Sequence, residues 1–354
     1  MLIMPPMKCA IWHATRLGSK PWASRHTRPF IRSFLRRQSV NACASDCRVS
    51  SASSAGAAHN SRGSMFKQSS TSHATPDYLS DEQIEYFQQH GYVIVDFGFD
   101  HGDIDELVKT LLPLYNPEHL RAPAFGARIQ DAWQFVKPAH TLATHPNVLG
   151  ALEQLFGRRP KPFQTLNFPF GTQQKIHSDT IHFSSMPNGF MAGVWIALED
   201  IDEHNGPLRY YPGTHKLPQI SMQDAGLQPG YEHYAAYERY MEEYVSTLGI
   251  KQSIGIMPKG HALIWHANLL HGGAEQLDHQ RTRHSQVTHY FFDGCRYYTP
   301  LHSTPEKIHY RQPLWIKPDK WVQQFPVTPQ MLAEMPYLAR HTLRLKRWLQ
   351  RNLP

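Results

Sequence analysis

From about residue 163 onward, the chain is a succession of short apolar segments separated by turn residues. The segments are rich in β-branched and aromatic residues, and Asn-Gly or Gly-Gly pairs lie between them, as is typical of strands joined by tight turns. The candidate strands are FQTLNFPF, KIHSDTIHF, MAGVWIALEDI, PLRYYPG, HALIWHA and SQVTHYFF. This pattern predicts sheets packed face to face in a mostly β fold.

Helical patterns come before the strands. Ser80 to Gln83 is a capping box that opens a short helix ending at Gly91, and Tyr92-Val-Ile-Val-Asp-Phe follows as a strand. Apolar residues at helical spacing predict two further helices, around 104–111 and 148–156. Helices followed by strands indicate a mostly β protein with flanking helices and a double-stranded β-helix, or jelly-roll, core.

Composition divides the chain into three parts. Residues 1–76 are interpreted as a disordered or targeting extension, 77–310 as the main domain, and 311–354 as a C-terminal helical extension packed on that domain. We expect one helical insertion within the domain, at roughly 230–247, and a last helix capped by Thr328-Pro329. Basic and apolar residues alternate along that last helix, so contact with a membrane surface is an alternative to packing on the domain.

The net charge of +7 does not indicate nucleic-acid binding. Residues 1–64 carry ten Lys and Arg against one acid, Asp46, which leaves a net charge of −2 on the rest of the chain. The basic excess therefore belongs to the N-terminal extension and does not imply a basic groove on the domain. We expect a small-molecule substrate, no nucleic acid and no transmembrane segment, and nothing in the sequence identifies a protein partner.

Cysteine usage favours a reducing compartment. Cys9, Cys43 and Cys47 lie in the extension, and Cys295 is alone in the main domain. A cytoplasmic location is expected. The alternative is a mitochondrial or other organellar location, because the extension is rich in Arg and Ser and poor in acids, like a transit peptide. A third interpretation places the true start at Met65.

Three residues form a candidate metal site. His177 and Asp179 are two apart in a strand-like segment, so their side chains are expected on one face, and His271 follows the strand HALIWHA. Two histidines and one carboxylate are the ligands of non-haem Fe(II) oxygenases, in which the other coordination positions stay open. His266 is the competing second histidine, but the two glycines after His271 allow close backbone approach there.

An arginine follows this candidate triad. Arg283 lies 12 residues after His271 and directly before the strand SQVTHYFF. A guanidinium in that place can bind the far carboxylate of a 2-oxoglutarate co-substrate in a bidentate manner. Arg281 is the competing choice, and Ser285, two residues beyond Arg283, is expected to face the same way and to add a hydroxyl hydrogen bond.

Residues 163–293 resemble the phytanoyl-CoA dioxygenase family of Fe(II)- and 2-oxoglutarate-dependent oxygenases. The resemblance lies in IHSDTIHF, VWIALEDIDEHNGPLRYYPGTHK, KGHALIWHANLLHGG and TRHSQVTHY, which occur in the family's order and near its spacing. The segment SDEQIEYFQQHGYVIV is similar to the family's usual helix-strand start and extends the resemblance to roughly 78–293.

The resemblance implies Fe(II), 2-oxoglutarate and O2 as cofactor and co-substrates. It implies that His177, Asp179 and His271 bind the metal and that Arg283 pairs with the distal carboxylate of 2-oxoglutarate. Trp195 matches a tryptophan that lines the co-substrate pocket, and Gln173 and Thr165 are further candidates on the strand side leading to the triad.

The reaction that the resemblance implies is hydroxylation of an unactivated C–H bond, with succinate and CO2 as co-products. A carboxylate at 179 favours hydroxylation, because related halogenases need a small residue there. Two alternatives stay open from the sequence. One is a catalytically silent jelly-roll binding module, and the other is a zinc-dependent hydrolase of cupin-like shape. The tyrosines of the 230–247 insertion, such as Tyr237, are either a lid over the site or a packed stripe.

Overall fold

The computed structural model describes residues 77–115 and 128–323. The predicted extension over residues 1–76 and the predicted helix from Thr328 onward lie outside the described residues. Residues 311–323 contain no helix, and they pack on the domain as an irregular segment. The amide of Ile316 donates to the carbonyl of Pro162, and the indole N–H of Trp321 donates to the carbonyl of Trp133.

Five α-helices occur within this part of the chain. They are α1 Asp81–His90, α2 His101–Leu111, α3 Lys137–Ala143, α4 Pro146–Phe156 and α5 Tyr234–Thr247. The capping box that opens α1 has both of its hydrogen bonds, and Gly91 ends the helix with a φ of +82°. The helices predicted around 104–111, 148–156 and 230–247 are confirmed. None of these five helices has the length and apolar character needed to span a bilayer.

The described strands form antiparallel sheets. They are β1 Tyr92–Asp96, β2 Ile129–Gln130, β3 Pro160–Phe168, β4 Ser184–Met186, β5 Met191–Ala197, β6 Leu208–Tyr210, β7 Ser253–Ile254, β8 His261–His266, β9 His271–Gly273, β10 Ser285–Phe292 and β11 Arg296–Tyr298. The major sheet has the order β1-β8-β5-β10-β3-β2, and smaller sheets have the orders β7-β6-β9 and β11-β4. The crossovers between consecutive strands are those of a jelly roll, so the predicted fold class is confirmed.

The two faces of the major sheet have different neighbours, and the period of two along each strand decides which residue faces which side. On one face, Gln286 and Tyr290 of β10 donate side-chain hydrogen bonds to the carbonyls of Ala139 and Ala143, in α3. On the other face, Val287 packs in a cluster with Trp195 and other buried apolar residues. The inner face of the jelly roll is therefore the side of Trp195 and Val287.

One predicted strand, KIHSDTIHF, is not a strand along its length. His177 pairs with His271 as an isolated antiparallel bridge, and residues Asp179–Ile181 then form a 3₁₀ turn. The Ser178 hydroxyl accepts a hydrogen bond from the Thr180 amide, which starts the turn. Such local side-chain bonds compete with strand pairing, and they explain why the extended pattern ends here.

Candidate metal centre

His177, Asp179 and His271 converge in the interior. Asp179 Oδ1 lies 3.8 Å from His177 Nε2 and 3.9 Å from His271 Nε2, and one ligand atom from each residue lies within 4.8 Å of the others. The backbone joins the two histidines directly, because the amide of each donates to the carbonyl of the other at 2.9 and 3.0 Å. All three side chains are buried. The backbone bridge between the two histidines and the 3₁₀ turn that begins at Asp179 position this cluster.

The histidine tautomers leave the converging nitrogens free. His177 Nδ1 lies 2.8 Å from the carbonyl of Lys175, and His271 Nδ1 lies 2.9 Å from the carbonyl of Leu269. A carbonyl can only accept, so each Nδ1 carries the proton and donates. In the neutral form of each ring, Nε2 then presents a lone pair to the centre, which is how metal-binding histidines are commonly oriented.

The carboxylate of Asp179 is fixed from its other oxygen. Trp265 Nε1 donates to Asp179 Oδ2 at 2.8 Å, which leaves Oδ1 directed at the two Nε2 atoms. Burial by itself would raise the pKa of Asp179, but the neighbouring His271, His289 and His177 and the indole hydrogen bond together lower it. The carboxyl group is therefore ionised at neutral pH and can bind a cation.

The buried imidazole of His177 is neutral at neutral pH. Burial, followed by the charge of His271, lowers the pKa of His177 to about 4. A third imidazole lies beside the cluster, because His289 Nε2 is 3.8 Å from Asp179 Oδ2 and its Nδ1 is 3.0 Å from Gln164 Oε1. Two imidazole nitrogens and one carboxylate oxygen, directed at the same point, fit a divalent metal such as Fe(II).

His266, the competing histidine in the sequence, is not part of the cluster. It pairs with Ala192 of β5, and its ring stacks on Phe156 of α4 at 6.1 Å, on the helical side of the major sheet. Its Nδ1 accepts the amide of Asn268 at 3.0 Å. The structure therefore brings His271, and not His266, to His177 and Asp179.

Arg283, Ser285 and Trp195 lie together in the interior, and this group of residues is called the pocket of Arg283. Arg283 Nη1 donates to Ser285 Oγ at 2.5 Å, Nη2 donates to the carbonyl of Phe170 at 3.1 Å, and the guanidinium carbon lies 5.3 Å from the Trp195 ring. Burial lowers the pKa of Arg283 to about 10, so the group is still a cation at neutral pH. Arg281, the competing arginine, instead forms a surface ion pair with Asp202 at 2.6 Å.

Two buried donors in this pocket have no partner. Arg283 Nε and Trp195 Nε1 make no hydrogen bond with any residue in the part of the chain that the structure describes. Buried polar atoms without a partner are costly, and they commonly mark the place of a ligand. A dicarboxylate co-substrate would satisfy such donors, so these residues fit 2-oxoglutarate.

Two other candidates from the sequence lie elsewhere. Gln173 is exposed in a loop with a φ of +49°, and its backbone lies against Gly273. Thr165 pairs with Thr288 on the face of the major sheet that Gln286 shares, and this face is covered by α3. Neither residue is brought to the pocket of Arg283. Gln173 is on a surface loop, and Thr165 faces the opposite side of the major sheet.

Trp265 is a residue at the site that the sequence interpretation did not single out, although its indole N–H donates to Asp179. The tyrosines of α5 are mostly packed. Tyr237 is buried and donates to the carbonyl of Ile220, whereas Tyr234 lies at the site, with its ring 4.8 Å from that of His182. The stripe is therefore mainly a packing surface.

The jelly roll and its site of two histidines and one carboxylate define a non-haem iron, 2-oxoglutarate-dependent oxygenase. A family model described as Phytanoyl-CoA dioxygenase (PhyH) matches residues 87–285, which is more than half of the chain. The chain belongs to the phytanoyl-CoA dioxygenase family.

Known relatives are similar at a low level of identity. The peroxisomal phytanoyl-CoA dioxygenase of Bos taurus is 23% identical over 258 residues, which cover 65% of this chain and 74% of the bovine protein. The phytanoyl-CoA dioxygenase domain-containing protein 1 of Bos taurus is 25% identical over 237 residues, covering 63% and 74%. Among solved structures, the non-heme alpha ketoglutarate dependent carbocyclase SnoK, from nogalamycin biosynthesis, is similar in fold. Its TM-score is 0.51 at 17% identity, and the match covers 62% of this chain and 86% of that chain.

Proposed function

We propose that this protein hydroxylates an unactivated C–H bond of a small-molecule substrate, consuming 2-oxoglutarate and O2 and releasing succinate and CO2. The observation that carries the proposal is the convergence of three buried side chains. Each directs one ligand atom at a common point, and its other polar atom already has a hydrogen-bond partner. His177, Asp179 and His271 would hold Fe(II). When bound, the iron and 2-oxoglutarate supply the oxidising chemistry.

The pocket of Arg283 orients the co-substrate in this proposal. Arg283 and Ser285 are hydrogen-bonded to each other and buried, so they form a fixed pair that can receive one carboxylate. The free Arg283 Nε and Trp195 Nε1 supply two further donors in the same pocket. The surrounding apolar residues of the inner face exclude water from this end of the site.

Asp179 bears on the kind of reaction. Its carboxylate occupies the position at which a halide would need space, and Trp265 holds it there. We therefore favour hydroxylation over halogenation as the outcome of turnover.

The test is to incubate the purified chain with Fe(II), 2-oxoglutarate and air, and to measure succinate against the 2-oxoglutarate consumed. A panel of acyl-CoA, amino acid and sugar compounds is then analysed for a mass gain of one oxygen atom. Asp179→Ala should abolish succinate formation and weaken metal binding while the fold is retained, as measured by circular dichroism. Arg281→Ala, at the surface, should behave like the wild type.

The result also separates this proposal from the two alternatives. Metal binding without succinate formation would favour a silent binding module, and tightly held zinc with no response to 2-oxoglutarate would favour a hydrolase. Equal succinate formation by the wild type and Asp179→Ala would contradict the role of the triad.

A further inference from the structure

Arg311 lies close to the candidate metal centre. Its Nη1 donates to the carbonyl of His182 at 3.4 Å and to the Thr299 hydroxyl at 3.1 Å. The guanidinium carbon also lies 4.7 Å from the centre of the Phe183 ring. Two hydrogen bonds and an aromatic face therefore hold the guanidinium in one place, so little conformational entropy remains to be lost on binding a ligand.

A short path of side chains joins Arg311 to the metal-binding carboxylate. The Phe183 ring lies 5.0 Å from the His289 ring, and His289 Nε2 lies 3.8 Å from Asp179 Oδ2. His182, whose carbonyl accepts from Arg311, directly follows the turn Asp179–Ile181. The guanidinium is thus one aromatic ring and one imidazole away from the site, within the reach of a small substrate.

The charge of Arg311 has no counter-ion within residues 77–115 and 128–323. No carboxylate in these ranges forms an ion pair with it, whereas Arg281 pairs with Asp202 at 2.6 Å and Lys259 pairs with Asp105 at 2.5 Å. Burial lowers the pKa of Arg311, and Tyr231 is the neighbouring group whose influence raises it. A partly buried cation without an anion nearby is costly, and a bound anion would offset that cost.

The unused donors of Arg311 share one edge. Both side-chain hydrogen bonds of Arg311 come from Nη1, and Nε and Nη2 donate to no described residue. These two nitrogens lie on the same side of the planar group and match the two oxygens of a carboxylate or phosphate. Hydrogen bonding thus leaves free the part of the group that recognises planar or tetrahedral anions.

We infer that Arg311 is a substrate-binding residue, and that the substrate is a small molecule with a carboxylate or phosphate group bound by Nε and Nη2 of Arg311. The inference rests on the proposed function and specifies its substrate class. The Phe183 ring contacts both this anchor and His289, and the Phe163 ring packs on it at 5.2 Å, so the group next to the anion is expected to be apolar.

Three probes of one skeleton test the inference. Phenylacetate, phenyl phosphate and neutral phenylacetamide are titrated into the full chain loaded with Mn(II) and saturating 2-oxoglutarate. Paramagnetic relaxation of the probe protons reports both binding and proximity to the metal. We expect at least one anion to bind and its protons to relax strongly. The neutral amide should bind at least about tenfold more weakly than that anion. The comparison between the two anions identifies the preferred group.

Arg311→Gln should weaken binding of the preferred anion by about tenfold to a hundredfold. Arg311→Lys should recover part of that loss, because it keeps the charge but not the fork. The affinity for 2-oxoglutarate should not change in either variant, which separates Arg311 from Arg283. The control is Arg296→Gln, which removes an exposed arginine that lies 4.0 Å over the Tyr310 ring.

Failure of the inference is distinguishable from failure of the proposed function. If Mn(II) and 2-oxoglutarate bind normally but neither anion does, or if the amide binds as tightly as the anions, the inference is wrong and the proposed function is unaffected. An unchanged anion affinity in folded Arg311→Gln or Arg311→Lys has the same meaning. Loss of Mn(II) or 2-oxoglutarate binding in the wild type overturns the proposed function and the inference with it.

Discussion

Trp265 and Asp179 are joined by a buried hydrogen bond of 2.8 Å, from the indole N–H to Oδ2 of the carboxylate. The bond fixes the rotation of the carboxyl group, so Oδ1 faces His177 and His271. Hydrogen-bond partners that do not themselves touch the metal orient metal-binding side chains and tune the affinity of the site for the metal. Trp265 is therefore a positioning residue for the proposed metal ligand.

Trp265→Phe should weaken metal binding. Phenylalanine keeps most of the apolar surface but removes the N–H, so Asp179 Oδ2 loses its donor and the carboxylate can rotate. We expect the dissociation constant for Fe(II) or Co(II) to rise by about tenfold to a hundredfold, as measured by anaerobic titration. Trp321→Phe is the matched control, since its indole N–H also makes a 2.8 Å bond, to the carbonyl of Trp133. Equal metal affinities in the two variants would contradict the role of Trp265.

Gly193 provides the space that Trp265 occupies. It pairs with Trp265 of β8 on one side and His289 of β10 on the other, and a Cβ added at 193 would meet the indole ring at 2.2 Å. Gly193→Ala should cost about 1–3 kcal/mol of unfolding free energy through overpacking, as measured by urea denaturation. In the background of Trp265→Phe, whose ring is smaller, the same change should cost less. A cost that is the same in both backgrounds would show that the two residues do not compete for space.

Arg283→Ala should raise the requirement for 2-oxoglutarate far more than the requirement for iron. The guanidinium is buried and bonded to Ser285, so its removal leaves one carboxylate of the co-substrate without a cation. We expect about a hundredfold increase in the 2-oxoglutarate concentration needed for half-maximal succinate formation. Arg281→Ala is the control, because it removes a surface ion pair with Asp202. Parallel increases in both requirements would argue against a specific role in co-substrate binding.

The regular elements could be predicted from the sequence because their signals are local. The capping box at Ser80 and the terminating Gly91 set both ends of α1, and the segment 285–292, rich in aromatic and β-branched residues, is β10 as predicted. The family motifs also gave the three residues that converge at the candidate metal centre. These signals depend on neighbours within a few positions, so one sequence is enough to read them.

What the sequence did not reveal depends on long-range pairing. Thr165 lies on a strand beside the site. The period of two shows that alternate residues of a strand face opposite sides of the sheet, but it does not show which of them face inward. The hydrogen bond from Trp265 to Asp179 joins residues 86 positions apart, and no local pattern indicates it. The turn after Ser178 was also not predicted, because a short polar run fits both a strand and a turn.

Acidification should unfold the protein partly through His266. Burial, followed by the charge of His215, lowers the pKa of His266 to about 4 from an ordinary value of 6.5, so the unfolded chain binds this proton more readily than the folded protein does. The stability that neutral His266 contributes is therefore fully present above pH 6.5 and is lost as the pH falls toward about 4.

His266→Asn removes this titration but keeps a side-chain oxygen near the amide of Asn268, which His266 Nδ1 accepts. At about pH 8 the variant should be less stable than the wild type, because the ring that stacks on Phe156 is lost. Below pH 6.5, the gap in unfolding free energy should narrow by about 1.4 kcal/mol per pH unit, since only the wild type has this proton to bind. Urea denaturation from about pH 8 to about pH 5 measures the gap. A gap that stays constant over this range would mean that His266 is protonated equally in the folded and unfolded states.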